Sequence, residues 1–157
     1  DELNRPGDIP ESFLKTKPLQ ETDMLVDPRV KALVHFDRVI EHEIGVSIRA
    51  EKTVTRAAPY FLDHFPKKPV LPMTILLECM MNLSAEFVRQ ANFDRPYVVR
   101  EMRRIKMNDF ILPGDVFTAD MSVKSHKEHE LILKCRVSRS GNRVCLIEVV
   151  MVPKDSV

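Results

Sequence analysis

At 157 residues the chain has the length of one domain with a full hydrophobic core, and its 44% hydrophobic and 30% charged residues are those of an ordinary globular protein. Lys and Arg number 24 against 23 Asp and Glu, a formal charge of +1, which argues against a general polyanion-binding surface and so against a nucleic-acid partner. No run reaches the roughly 20 apolar residues of a membrane span; the longest apolar region, Val70 to Val88, is broken by Glu78, Asn82, Ser84 and Glu86.

Residues 1–28 carry Pro6, Pro10, Pro18 and Pro28 among charges and little periodicity. They read as an N-terminal arm or extension, with a short helical turn near Glu11 to Leu14, leaving residues 29–157 as the domain. The chain opens on Asp1 without a basic-then-apolar leader, as a processed, tagged or excised piece would; a cytoplasmic location is expected from its cysteines, which read as reduced thiols. Val30 to Ile40 fits a short helix running into a strand. From Val46 to Val54, apolar Val46, Ile48, Ala50 and Val54 (with Thr53) interleave with Ser47, Arg49, Glu51 and Lys52, the pattern of a half-buried strand.

Pro66, Pro69 and Pro72 then forbid regular helix, and Pro72 suits the first turn of the helix that follows. That helix runs from Met73 to about Gln90, apolar almost all round in its first half, which predicts a buried element. The remainder predicts strands over Val98–Met107, Val116–Val123, Leu131–Val137 and Val144–Val152. A turn is expected at Leu112-Pro113-Gly114-Asp115 and a hairpin at Ser138 to Arg143. One buried helix and several antiparallel strands define an α+β domain with the sheet wrapped around a long central helix.

Two residues stand out chemically. His64 lies in the proline-bounded segment, and Glu78 follows fourteen residues later between Leu77 and Cys79 on the apolar helix. A lone loop histidine is usually structural. A carboxylate among Ile75, Leu76, Met80 and Met81 needs a partner, a raised pKa or a task, because burying it unpaired is costly. An arginine partner would make Glu78 purely structural.

The segment from Pro59 to Asn82 resembles the active-site segment of the bacterial 3-hydroxyacyl-(acyl-carrier-protein) dehydratase family. That family carries His-Phe-Pro-Gly-x-Pro-x-x-Pro-Gly and then a Glu on the central helix, and His64, Phe65, Pro66, Pro69, Pro72 and Glu78 stand in the same register. Phe36 to Val39, Ala50 to Thr55 and Leu112 to Asp115 resemble further parts of the family, so the likeness spans roughly residues 34–152. The resemblance implies a hotdog fold and a cofactor-free hydro-lyase in fatty-acid or related lipid and polyketide biosynthesis. It also implies a homodimer, with a trimer of dimers as a further step, in which His64 of one subunit faces Glu78 of the other. His64 would take the proton beside the thioester carbonyl, Glu78 would protonate the departing 3-hydroxyl, and the backbone N–H of Met73 would polarise the carbonyl. Phe65, Pro72, Met80, Met81 and Asn82 would line the substrate tunnel.

The sequence departs from the pattern where Lys67 and Met73 replace family glycines, where Asp63 precedes the histidine and where Asn82 stands for Gln. These changes bear on substrate choice, and they keep open two other readings: a hotdog acyl thioesterase, and a non-catalytic acyl-binding subunit of a synthase. Lys67, Lys68, Arg100, Arg103, Arg104 and Lys106 form a basic stretch suited to docking an acidic acyl carrier protein, or simply an exposed strand face. His126 and His129 lack a third ligand and read as a solvated turn, so no metal is expected. Three cysteines, Cys79, Cys135 and Cys145, sit at spacings of neither a disulfide framework nor a zinc site and read as reduced core thiols.

Overall fold

The computed structural model describes residues 32–55 and 69–157. The expected arm, the turn near Glu11, and Asp63, His64, Phe65, Pro66, Lys67 and Lys68 lie outside the described residues. Six strands are present among the described residues: β1 (Arg38–Glu43), β2 (Ser47–Thr53), β3 (Tyr97–Met107), β4 (Val116–Lys127), β5 (Glu130–Arg139) and β6 (Asn142–Pro153). One long helix, α1 (Met73–Ala91), lies between β2 and β3 in sequence. The strands form a single antiparallel sheet in the order β1-β2-β4-β5-β6-β3.

Alternation along the strands gives the sheet its apolar face. Ile48 and Ala50 on β2, Phe117, Ala119 and Met121 on β4, Leu131, Leu133, Cys135 and Val137 on β5, and Ile147, Val149 and Met151 on β6 join one core. The helix meets them with Ile75, Leu76, Cys79, Met80, Leu83, Ser84 and Phe87, residues spaced three and four apart on one face. Helix and sheet thus pair as expected, with three differences in detail.

First, α1 is buried on one face only. Thr74 and Met81 are exposed and Leu77 and Glu78 half-exposed, so the predicted all-round burial does not hold within a single chain. Second, Pro72 is the N-cap with φ −61° and ψ 139°, one residue before the first helical position; its carbonyl accepts from Ile75 N at 3.1 Å and Leu76 N at 3.2 Å. Third, Lys52 belongs to the inner face of β2 and not to the polar one, being only 4% exposed, while Val46 and Thr53 are exposed. Its ammonium donates to the carbonyls of Ala32 and, at 2.8 Å, His35, and lies 3.7 Å from Asp37 Oδ1. A cation at the end of the short 32–34 helical turn satisfies carbonyls that have no helical partner.

The turns follow their residue chemistry. Leu112 to Asp115 closes with Asp115 N donating to Leu112 O at 3.0 Å, and Gly114 takes φ 87°, where a side chain would be strained. Ser140 and Gly141 both take positive φ (51° and 78°), the two-residue hairpin geometry between β5 and β6. β4 continues past its predicted end because an irregularity between Val123 and Ser125 lets pairing resume to Lys127. His126 is therefore a strand residue and not part of the tip, its Nε2 3.0 Å from the Tyr97 hydroxyl and its ring edge-on to Phe93.

Glu148 on β6 is nearly buried and takes Lys124 Nζ at 2.7 Å and Arg103 Nε at 3.3 Å. The lysine hydrogen bond, with the nearby arginines, holds its carboxyl below the usual carboxylate range. A depressed folded-state pKa adds stability above the unfolded value of about 4.3, and that stability is lost as pH falls through the folded value. Glu148→Gln is expected to flatten the acid limb of a stability-versus-pH curve and leave its alkaline side alone. An acid limb as steep as that of the wild type in denaturant melts would refute this.

Candidate active site on the open face of the helix

The helix start carries no side-chain cap. Pro72 offers none and the first turn contains no acidic residue, so the amides of Met73 and Thr74 have no side-chain acceptor from the cap at the positive end of the dipole. Leu71 and Pro72 are buried and Met73 is half-buried, which fixes that end against the core.

Glu78 lies one turn further along. Three things separate it from an ordinary surface carboxylate: it is half-buried, it stands on a face otherwise formed by Thr74, Leu77 and Met81, and no hydrogen bond or ion pair joins it to the described residues. Several arginines among the described residues are engaged elsewhere. Arg38 pairs with Glu51, Arg89 with Glu86, Arg100 with Glu130, Arg103 with Glu148 and Arg139 with Asp109 and Asp115. Among the described residues no arginine or lysine forms a salt bridge with Glu78.

The other candidates divide. Met80 is fully buried in the core, where the Cys135 thiol approaches its sulfur at 3.2 Å. Met81 is 40% exposed on the Glu78 side. Asn82 donates its side-chain amide to Val34 O at 2.7 Å, tying the segment before β1 to the helix. The basic stretch of β3 is largely compensated: Arg100 meets Glu130 at 2.9 Å, and Arg103 and Arg104 share Glu148. Arg104 is the most exposed of these, with 70% of its side chain open. The three thiols are free and buried, and burial pushes Cys79 up to about 12, Cys145 up to about 11 and Cys135 upward as well. All three are protonated at neutral pH and unsuited to nucleophilic work.

Sequence reading missed Arg139, the last residue of β5. Its guanidinium donates to Phe110 O at 2.6 Å, Asp115 Oδ2 at 2.9 Å and Asp109 Oδ2 at 2.8 Å. The only local sign was two aspartates flanking the Pro113-Gly114 turn, with nothing to indicate a cation 24 residues away.

A six-stranded antiparallel sheet in this order, packed on one long helix, is a hotdog domain. The chain belongs to the FabA-like domain family, whose profile matches residues 28–148. It is 32% identical over 123 residues to the 3-hydroxyacyl-[acyl-carrier-protein] dehydratase FabZ of Wolbachia pipientis wMel, covering 73% of this chain and 86% of that one. With the enzyme of the same name from Shewanella woodyi it shares 25% over 146 residues, covering 90% and 95%. Among solved structures, a hypothetical thioesterase protein with coenzyme A from Streptococcus pneumoniae TIGR4 superposes with a TM-score of 0.59 at 11% identity, over 76% of this chain and 91% of that one. The E. coli PaaI protein gives 0.60 at 15%, over 80% and 88%. At such identities these two neighbours speak for the fold alone. Among the described residues no helix is long and apolar enough to cross a membrane.

Proposed function

We propose that this protein is a cytoplasmic 3-hydroxyacyl-(acyl-carrier-protein) dehydratase, converting the 3-hydroxyacyl thioester into the trans-2-enoyl thioester for fatty-acid or related lipid biosynthesis. The observation that carries this reading is Glu78: a carboxylate without a partner among the described residues, on the open face of α1, in register with the family's His-Phe-Pro motif within a matched span. The working unit is a homodimer, able to associate further as a trimer of dimers. In favour of a partner subunit are the uncovered Glu78 face and the edge position of β3, which exposes Ile105 and Met107 at 40% and 37%.

In this reading the thioester carbonyl sits against the Met73 amide, whose donor and dipole stabilise the developing enolate. Neutral His64 of one subunit removes the proton from C2. The electron pair left on C2 forms the C2–C3 double bond as the C3–O bond breaks, and Glu78 of the other subunit protonates the departing hydroxyl, which leaves as water. The C2 proton ends on His64 and the Glu78 proton in the water, so the pair is reset by one proton transfer to the carboxylate. Phe65, Pro72, Met81 and Asn82 shape the acyl tunnel, Met80 being withdrawn into the core against Cys135, and Lys67, Lys68, Lys106 and the exposed Arg104 attract the acidic carrier, Arg100 and Arg103 being held by Glu130 and Glu148.

Mixing two inactive variants tests the shared site. His64→Ala and Glu78→Gln homodimers should each fail to release water from a 3-hydroxyacyl carrier protein. After subunit exchange, about a quarter of wild-type activity should return, because half the dimers are hybrids with one intact site of two. No recovery in verified hybrid dimers would place both residues in the same subunit's site or remove one from it.

A further inference from the structure

The 108–115 loop connecting β3 to β4 is fastened on two sides. On one, Arg139 at the end of β5 grips it through three hydrogen bonds, to Phe110 O, Asp109 Oδ2 and Asp115 Oδ2. A guanidinium is a rigid planar fork, so three acceptors from one loop fix the loop's orientation as well as its distance. The loop also braces itself, Leu112 N donating to Asp115 Oδ2 at 2.8 Å. On the other side the same few residues hold the lead-in to the helix: Leu71 N donates to Ile111 O at 2.7 Å. They hold the end of β2 as well, with Val54 N donating to Asp115 O at 2.8 Å and Gly114 N to Val54 O at 2.7 Å.

We propose that Arg139 is a positioning residue for the dehydration site, acting through the 109–115 loop on Leu71 and hence on the N-terminal amides of α1; the assignment rests on the dehydratase reading. Between Leu71 and the Met73 amide stands only Pro72, whose ring fixes its φ near −61°. A displacement of the Ile111 carbonyl is therefore passed to the carbonyl-polarising amide with little slack. Arg139 itself touches no substrate. Its side chain is 24% exposed and its two carboxylate partners are both on the loop, so the charges serve the loop's placement and not the sheet's assembly.

Two readouts on the full chain separate this proposal from the reading beneath it. Amide exchange needs no substrate: in Arg139→Ala, exchange at Leu71 and Val54 should rise at least about tenfold, with β5–β6 amides unchanged. Unchanged exchange at Leu71 overturns the positioning role whatever the protein catalyses. Turnover of a 3-hydroxyacyl carrier protein by folded Arg139→Ala should show kcat lower by about tenfold and KM within about twofold, since small misplacements of a catalytic group are costly. Arg139→Lys, which keeps the charge but loses the fork, should recover part of that kcat. Wild-type kcat in Arg139→Ala overturns the proposal, whereas a wild-type protein that releases no water overturns the dehydratase reading instead. If Arg139→Ala does not fold, Asp109→Asn removes one arm of the grip, and Leu71 exchange as slow as in the wild type then counts against the proposal.

Discussion

Glu78→Gln is expected to reduce water loss from a 3-hydroxyacyl thioester by about a hundredfold to ten-thousandfold, the range associated with one general acid or base. The substitution keeps the shape of the side chain and removes only its titratable proton. Glu78 makes no hydrogen bond or ion pair with the described residues, so no bond to them is lost with the charge. Melting temperature and dimer content should therefore match the wild type, and intact folding beside lost turnover is what distinguishes a reacting group from a structural one. His64→Ala should lose activity to a similar degree. A Glu78→Gln protein that melts normally and still turns over within about tenfold of the wild type would remove Glu78 from the proton transfer.

Phe87→Ala should bring the largest loss of stability, about 3–5 kcal/mol, the usual cost of truncating a buried aromatic ring. The ring is fully buried in the core on the inner face of α1, and the His42 ring lies over it at 6.4 Å between centroids. Its removal leaves a cavity where helix and sheet meet, and close packing allows only partial collapse. For a domain of this size that loss corresponds to a fall in Tm of roughly 6–20 °C. Because α1 also carries Glu78 and the Met73 amide, activity should fall at temperatures below the new midpoint as well. Denaturant melts of both proteins at one concentration provide the check, and a loss under about 1 kcal/mol would mean that Phe87 is not a keystone of the core.

Period-two alternation and Pro72 followed by an apolar run placed β2, β3, β5, β6 and the helix within about two residues, whereas β1, exposed along most of its length, was expected only as the end of the Val30 to Ile40 segment. The exceptions have physical causes. Lys52 counts as polar in any pattern, yet the carbonyls of Ala32 and His35 make an inward lysine favourable. His126 was assigned to a turn because an irregularity in β4 has no side-chain signature. The helix looked buried all round because its sequence also encodes an uncovered face, so composition alone overstates what one chain can hide. At the site, the motif singled out His64 and Glu78, but Arg139, Asp109 and Asp115 meet only through folding. Contacts between residues 24 and 30 positions apart leave no periodic trace.

The most direct test of the central claim is the intact mass of a carrier protein bearing a 3-hydroxyacyl chain after incubation with the wild-type protein. The expected product is lighter by one water, with the acyl chain still attached. A deacylated carrier would make the protein a thioesterase, and an unchanged mass with the acylated carrier bound would make it a non-catalytic acyl-binding subunit; either result would contradict the account.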